Sequence, residues 1–247
     1  MPLILRVDVD NGYLYGKSKM LTLLNYINEN YLHIVLPHLG YLKHLAEFLR
    51  VLNELGLKAS LFFKYITIPH AKLKSVILSN NNLEVGLHLL SAVTYEQFIE
   101  EVKKIESAFN RRIHGFTKHG DGDIKLSRRH AWHYEPKKYV EWCAKAGLKY
   151  FAGNEHVIPT RCIKIDNSFY FRGVFYIEPF ARKIKKTVKD VVDLVDSDEV
   201  VVALIHPCNF VRYNIVQKEF YRLINNVEKV YSFIEFCKRK TDKFNLK

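Results

Sequence analysis

The chain has 247 residues, 48% hydrophobic and 26% charged, a composition that excludes disordered and fibrous classes and leaves a folded protein able to bury a full core. No stretch approaches the ~18 apolar residues of a membrane-spanning helix, and Met1 to Asp8 lacks the basic start and long apolar run of an export signal, so a cytoplasmic protein with no integral membrane segment is expected. The net charge of +12 suits nucleic acid, an anionic surface or an acidic substrate alike, but the basic groups Arg111-Arg112, Arg128-Arg129, Lys183 to Lys186 and Lys238 to Lys240 stand in no nucleic-acid motif, so no nucleic-acid partner is expected.

Leu3 to Val9 is a short apolar run that passes into acids and then Gly12, the pattern of a strand delivering its last side chains to a loop. Lys17 to Ile34 has the spacing of a helical insertion. Leu39 to Leu55 carries apolar residues at helical spacing and stops at Gly56, a C-cap, and Lys58 to Lys64 follows as a buried strand. The cycle repeats: helix over His70 to Ser79, strand over Leu83 to His88, helix over Tyr95 to Phe109, strand over Ile113 to Lys118. His119 to Glu135 is a long polar loop, of the kind that forms the mouth of a site. Pro136 opens a helix over Lys137 to Ala146, Gly147 closes it, and Leu148 to Ala152 is a strand. An irregular region leads to Phe175 to Ile177, a helix near Lys186 to Leu194, the strongly apolar strand Val200 to Ile205, and a final helix from about Val216 to Lys238.

Strands alternating with helices imply parallel pairing through right-handed crossovers, in a barrel or a doubly wound sheet, with the chemistry at the carboxyl ends of the strands. Barrels of roughly 250 residues form one unit, and no Pro/Gly/Ser-rich linker divides this chain, so one domain over residues 1–247 is expected. Cys143, Cys162, Cys208 and Cys237 are widely separated, with no Cys-x-x-Cys pair, and are expected to be free thiols.

The strand ends carry Asp8 and Asp10, then His88, His119 and His206. Carboxylates at i and i+2 on a strand share a face, so one can ligate a metal while the other takes a proton from water. Glu84 to His88 and Ala203 to Pro207 each place an imidazole just past an extended segment, and Pro207 stops the ladder so that His206 is presented in a loop.

The order of these motifs is more informative than any one of them. Val7-Asp8-Val9-Asp10-Asn11-Gly12, Ala59-Ser60-Leu61-Phe62-Phe63, Glu84-Val85-Gly86-Leu87-His88, Gly115-Phe116-Thr117-Lys118-His119-Gly120 and Leu204-Ile205-His206-Pro207 follow one another as a collinear set. This set resembles the polysaccharide deacetylase family, also called carbohydrate esterase family four, over nearly the whole chain. Three positions depart from that family's pattern. Ala92 stands where a second histidine four residues after the first is usual, and Thr117 stands where an arginine is usual. The first motif has Asp-x-Asp in place of adjacent acids, so alignment on Gly12 makes Asp10 the base and Asn11 the ligand.

The resemblance implies a single-domain distorted (β/α) barrel and a metal-dependent hydrolase that removes an N-acetyl group from an amino sugar or glycan, anionic ones included, and releases acetate. It implies that Asp10 and His88 hold a divalent metal, zinc being the expected one, that Asp8 is the base and that His206 protonates the departing amine. With Ala92 in place of a ligand, His119 is the first choice for the third ligand, and His130 and His133 from the long loop are the alternatives. Aromatic residues of that loop and of Phe169 to Tyr176 are candidates to stack on sugar faces. Two other readings stay open: a degenerate, metal-free member of the fold that binds a glycan or a partner, and a hydrolase of a small non-sugar amide. The oligomeric state is not legible in the sequence.

Overall fold

A computed structural model describes residues 2–10, 41–126, 128–193 and 200–245. The proposed insertion Lys17 to Ile34, together with Asn11 and Gly12, lies outside them. Strand β1 (Pro2–Val9) sets the pattern of the molecule. Leu3, Leu5, Val7 and Val9 face an outer core beneath the helices, while Ile4 faces an inner core and Arg6, Asp8 and Asp10 share its alternate register. The two-residue period of an extended chain thus separates a wholly apolar face from one that becomes polar toward the carboxyl end.

Eight of the other strands are β2 (Ala59–Phe63), β3 (Leu83–Leu89), β4 (Gly115–Lys118), β5 (Tyr150–Glu155), β6 (Cys162–Ile165), β7 (Ser168–Gly173), β8 (Phe175–Tyr176) and β9 (Val201–Ile205). They pair with β1 in the order β6-β7-β5-β4-β3-β2-β1-β9-β8, all parallel except β6 with β7. A further strand, β10 (Lys229–Tyr231), pairs parallel with Pro2–Ile4, ahead of the stretch Arg6–Val9 that pairs with β2. The sheet curls into an open half-barrel. Its rim is tied by Thr160, whose hydroxyl donates to Gly173 O and accepts from Val202 N.

The helices α1 (Tyr41–Glu54), α2 (Ala71–Ser79), α3 (Tyr95–Phe109), α4 (Pro136–Lys145), α5 (Val188–Val192), α6 (Pro207–Arg212) and α7 (Asn214–Ile224) complete the outer layer. Phe98 stacks on Trp142 at 5.4 Å and Phe48 meets Phe210 at 4.9 Å, and each such buried aromatic contributes roughly 1.5–3 kcal/mol. Gly56 and Gly147 close α1 and α4 with φ of 61° and 66°, the left-handed caps expected there. Helix α8 (Phe233–Asn245) closes the amino-terminal end of the barrel, stacking Phe233 on Tyr150 at 4.7 Å. Among the described residues no helix is long and apolar enough to cross a membrane.

Two expectations are corrected. The single final helix over Val216 to Lys238 is instead α7, β10 and α8. Asn225 and Asn226 end the first helix, and Val230 and Tyr231 fit extended pairing against β1 as well as they fit a helical stripe. The irregular region after Ala152 holds a hairpin, β6 and β7, turned by Asp166 at φ 51°.

Candidate metal centre and active site

The inward positions of the strands converge at their carboxyl ends. Asp10 Oδ2, His88 Nε2 and His119 Nδ1 form a triangle with sides of 3.5 Å (Asp10–His88), 3.2 Å (Asp10–His119) and 3.0 Å (His88–His119). Zinc bonds of 2.0–2.1 Å in tetrahedral geometry separate neighbouring ligand atoms by about 3.3 Å, so this triangle has the size that a divalent metal requires. The group is the one metal-ligand cluster of three among the described residues. Asp10 Oδ1 is buried and accepts no hydrogen bond.

The protonation states suit ligation. His88 Nδ1 lies 2.7 Å from Thr117 Oγ1, and with its proton there the Nε2 lone pair faces the triangle. Thr117, where the related pattern has arginine, thus orients the His88 ring. Burial holds the His88 imidazole below its ordinary value, and burial with the Lys64 charge holds His119 well below, so both are neutral, the form that could hold a metal. For Asp10, burial is outweighed by the charges of His206 and Lys64, and the carboxyl stays well below its usual range.

Asp8 lies beside this triangle, with Oδ2 3.7 Å from His88 Nε2. Both of its oxygens are held by Arg6, Nε to Oδ1 at 2.9 Å and Nη2 to Oδ2 at 2.7 Å, while Arg6 Nη1 donates to Gly153 O. Burial alone would raise the Asp8 pKa; the Arg6 charge and the nearby histidines lower it, and Asp8 is a carboxylate. Arg6 escaped the reading of the sequence, although Arg6-x-Asp8 has the same i, i+2 spacing that marked the two aspartates.

His206 stands on the other side of Asp10, with Nε2 3.5 Å from Asp10 Oδ1. Its Nδ1 is 2.9 Å from Glu178 Oε1, and its backbone N–H donates to the same oxygen at 2.7 Å. Burial disfavours the imidazolium, but the Asp10 and Glu178 carboxylates outweigh it and raise the pKa to about 9. His206 is the N-cap of α6, with Pro207 at the first helical position, so it is fixed by a helix rather than presented in a loop. Glu178, fully buried just after β8, was also missed, because only the three-dimensional structure brings it against His206.

The long loop meets the site differently from expectation. Both nitrogens of His130 are used: Nε2 bonds His119 O at 2.7 Å and Nδ1 accepts from Leu126 N at 3.0 Å. It is therefore neutral, its pKa held down to about 4 by burial and the Lys118 charge, and it buttresses His119 rather than ligating. His133 packs tilted against Trp132 at 4.4 Å and, among the described residues, belongs to no metal-ligand cluster. Gly120 turns the chain after His119 at φ 72°, where a Cβ would stand 2.8 Å from the His130 ring. Ala92 packs in the helix-side core, away from the triangle that His119 completes. Of the aromatics proposed to meet a sugar, Phe169, Tyr170, Phe171 and Phe175 are core residues, whereas Trp132 on the loop is exposed.

At the mouth, Asp121 pairs with Lys183 at 2.5 Å and with His156 at 3.7 Å, and His156 stacks on Tyr176. An adjoining recess of about 520 Å³ is lined by Asp121, Gly122, Asp123, His133, Tyr134 and Glu135, within the range of roughly 300–1,000 Å³ typical of small-molecule pockets.

No protein-family model and no curated protein sequence matches the chain. Among solved structures the chain is similar to Puue allantoinase, with a TM-score of 0.63 and 10% identity over 96% of this chain and 89% of that one. It is similar to a probable polysaccharide deacetylase from Pseudomonas aeruginosa, with a TM-score of 0.62 and 11% identity over 96% and 89% of the two chains. A 4-alpha-glucanotransferase from Thermococcus litoralis matches with a TM-score of 0.59 and 10% identity over 96% of this chain but 38% of that one. The chain therefore has the distorted, half-open barrel fold of the polysaccharide deacetylase type, at 10% sequence identity to the allantoinase and 11% to the probable deacetylase.

Proposed function

We infer that the protein is a metal-dependent amide hydrolase that removes an N-acetyl group from an amino sugar or glycan and releases acetate. The observation that carries this reading is the Asp10, His88, His119 triangle flanked by Asp8 on one side and His206 on the other. Asp10, His88 and His119 would hold a divalent metal, zinc in our reading, which would supply the Lewis acidity that polarises an amide carbonyl and brings the pKa of water toward neutrality. Asp8, anionic and oriented by Arg6, takes the proton of the attacking water. As the water oxygen bonds to the carbonyl carbon, the C–N bond weakens, and the amine nitrogen needs a proton because it cannot leave as an anion. His206, protonated at neutral pH and aimed by Glu178, holds that proton at Nε2. The fixed charges of this site do no reorganising during the reaction, which is where such sites gain most of their rate.

A gap in the ligand set at Ala92 would favour a non-catalytic reading, but His119 fills it. The similarity to an allantoinase favours a second reading, a hydrolase of a small non-sugar amide, with the same residues in the same roles. Elemental analysis after loading with zinc should find about one metal per chain, and Asp10→Ala, His88→Ala and His119→Ala should each lose it. Acetate release from N-acetylated oligosaccharides, set beside release of ammonia or acid from small amides, separates the two substrate classes. A wild-type chain that takes up no metal would overturn the enzyme reading altogether.

A further inference from the structure

The amino-terminal end of the barrel, opposite the candidate metal centre, carries a second concave surface that the proposed reaction does not use. It is a cavity of about 480 Å³ between the starts of β2 and β3, the turn leading into β4, and α8. Two of the basic groups marked in the sequence meet there. Arg111 and Arg112 project from the turn that Asn110, at φ 46°, makes after α3, and Lys238 projects from α8. All three are exposed, and none of their side chains makes an ion pair or hydrogen bond with any of the described residues.

The acids nearby do not answer these charges. Glu235 Oε1 is taken by Lys58 at 2.6 Å, and its Oε2 is buried and accepts from none of the three. Glu84 is enclosed by Ser60, Tyr150 and the Ile234 N–H. His114, which also lines the cavity, reports the surplus: burial first, then the charges of Lys238, Arg112, Lys149 and Arg111, hold its imidazole below the ordinary value. Cations gathered at a recess with no counterion repel one another unless an anion is present.

We propose that this cavity binds a small phosphate-bearing anion, clasped by Arg111, Arg112 and Lys238, at the pole opposite the metal centre. Guanidinium forks match the oxygens of a phosphoryl group, and three or more unanswered positive charges call for a multiply charged ligand rather than a single carboxylate. The volume suits a small molecule. Among the described residues no Phe, Tyr or Trp lines the cavity, and such rings are the stacking platforms on which single-stranded nucleic acid is held.

The probe is inorganic pyrophosphate, titrated calorimetrically into the full-length protein at fixed ionic strength, before and after dialysis against a chelator. Binding should persist after chelation, and the double variant Arg111→Gln/Arg112→Gln should weaken it by about tenfold or more, the loss of one or two charge-assisted hydrogen bonds. Lys103→Gln/Lys218→Gln removes the same charge from exposed positions elsewhere and should leave binding unchanged. Absence of binding, equal weakening by both double variants, or loss on chelation would each overturn the proposal; the last would assign pyrophosphate to the metal centre. An oligonucleotide that binds where pyrophosphate does not would also overturn it, in favour of a polyanion surface. None of these outcomes depends on amide hydrolysis.

Discussion

Glu84 offers a test of how the closed end of the barrel is held. Its Oε2 accepts from Ser60 Oγ at 2.5 Å and from Ile234 N at 3.2 Å, its Oε1 accepts from Tyr150 OH at 2.9 Å, and Ser60 Oγ in turn accepts from Phe233 N. One side chain thus joins β2, β3 and β5 to the first turn of α8. Glu84→Ala strands donors on Ser60, Tyr150 and Ile234; at about 1–3 kcal/mol for each unsatisfied group, the loss should be on the order of 3–9 kcal/mol, a large part of the ~5–15 kcal/mol of a typical domain. Glu84→Gln keeps an acceptor for Ser60 and Ile234 and turns its amide toward the Tyr150 oxygen, so it should stay within about 1 kcal/mol of wild type. The two also differ in pH dependence. Burial outweighs the hydrogen bonds and raises the Glu84 pKa above its ordinary 4.5, so the folded state holds this proton more tightly than the unfolded state. The stabilisation is complete below pH 4.5 and is lost as pH rises through the folded pKa. Wild type should therefore fall relative to Glu84→Gln above that point, by at most about 1.4 kcal/mol per pH unit until Glu84 ionises in both states. Urea unfolding of the three proteins from pH 4 to 8 measures this. A wild type that gains on Glu84→Gln as pH rises, or an alanine variant that loses under ~1 kcal/mol, would refute the reasoning.

Arg6→Met leaves the Asp8 carboxylate buried without its partner and Gly153 O without a donor, and should cost about 3–5 kcal/mol at neutral pH in chemical denaturation; a loss below ~1 kcal/mol would show that the pair is not needed. His130→Phe removes the support beneath His119 but no ligand, so metal stoichiometry should stay at one per chain while affinity falls by roughly 10–100-fold. Complete loss of metal in that variant, under conditions that load wild type, would make His130 a ligand instead.

Much of this protein follows from periodicities. Alternation in Leu3 to Asp10 was enough to put Asp8 and Asp10 on one face, and the apolar runs ending at His88 and His206 were enough to bring those imidazoles to the same end of a parallel sheet, because consecutive side chains of a strand must point to opposite faces. Left-handed glycines at Gly56 and Gly147 marked helix ends for an equally local reason. What the sequence could not decide is what depends on contacts between distant segments. Arg6 and Asp8 are close in sequence, yet their pairing acquires meaning only when the sheet curls and removes both from water. Glu178 meets His206 across 28 residues, and Thr117 meets His88 across 29. His119, His130 and His133 were equal in residue type; the hydrogen bonds of His130 and the packing of His133 against Trp132 separated them. The end of the chain shows the same division, since Lys229 to Tyr231 is extended because β1 offers it a free edge, and no local propensity in that stretch distinguishes it from helix.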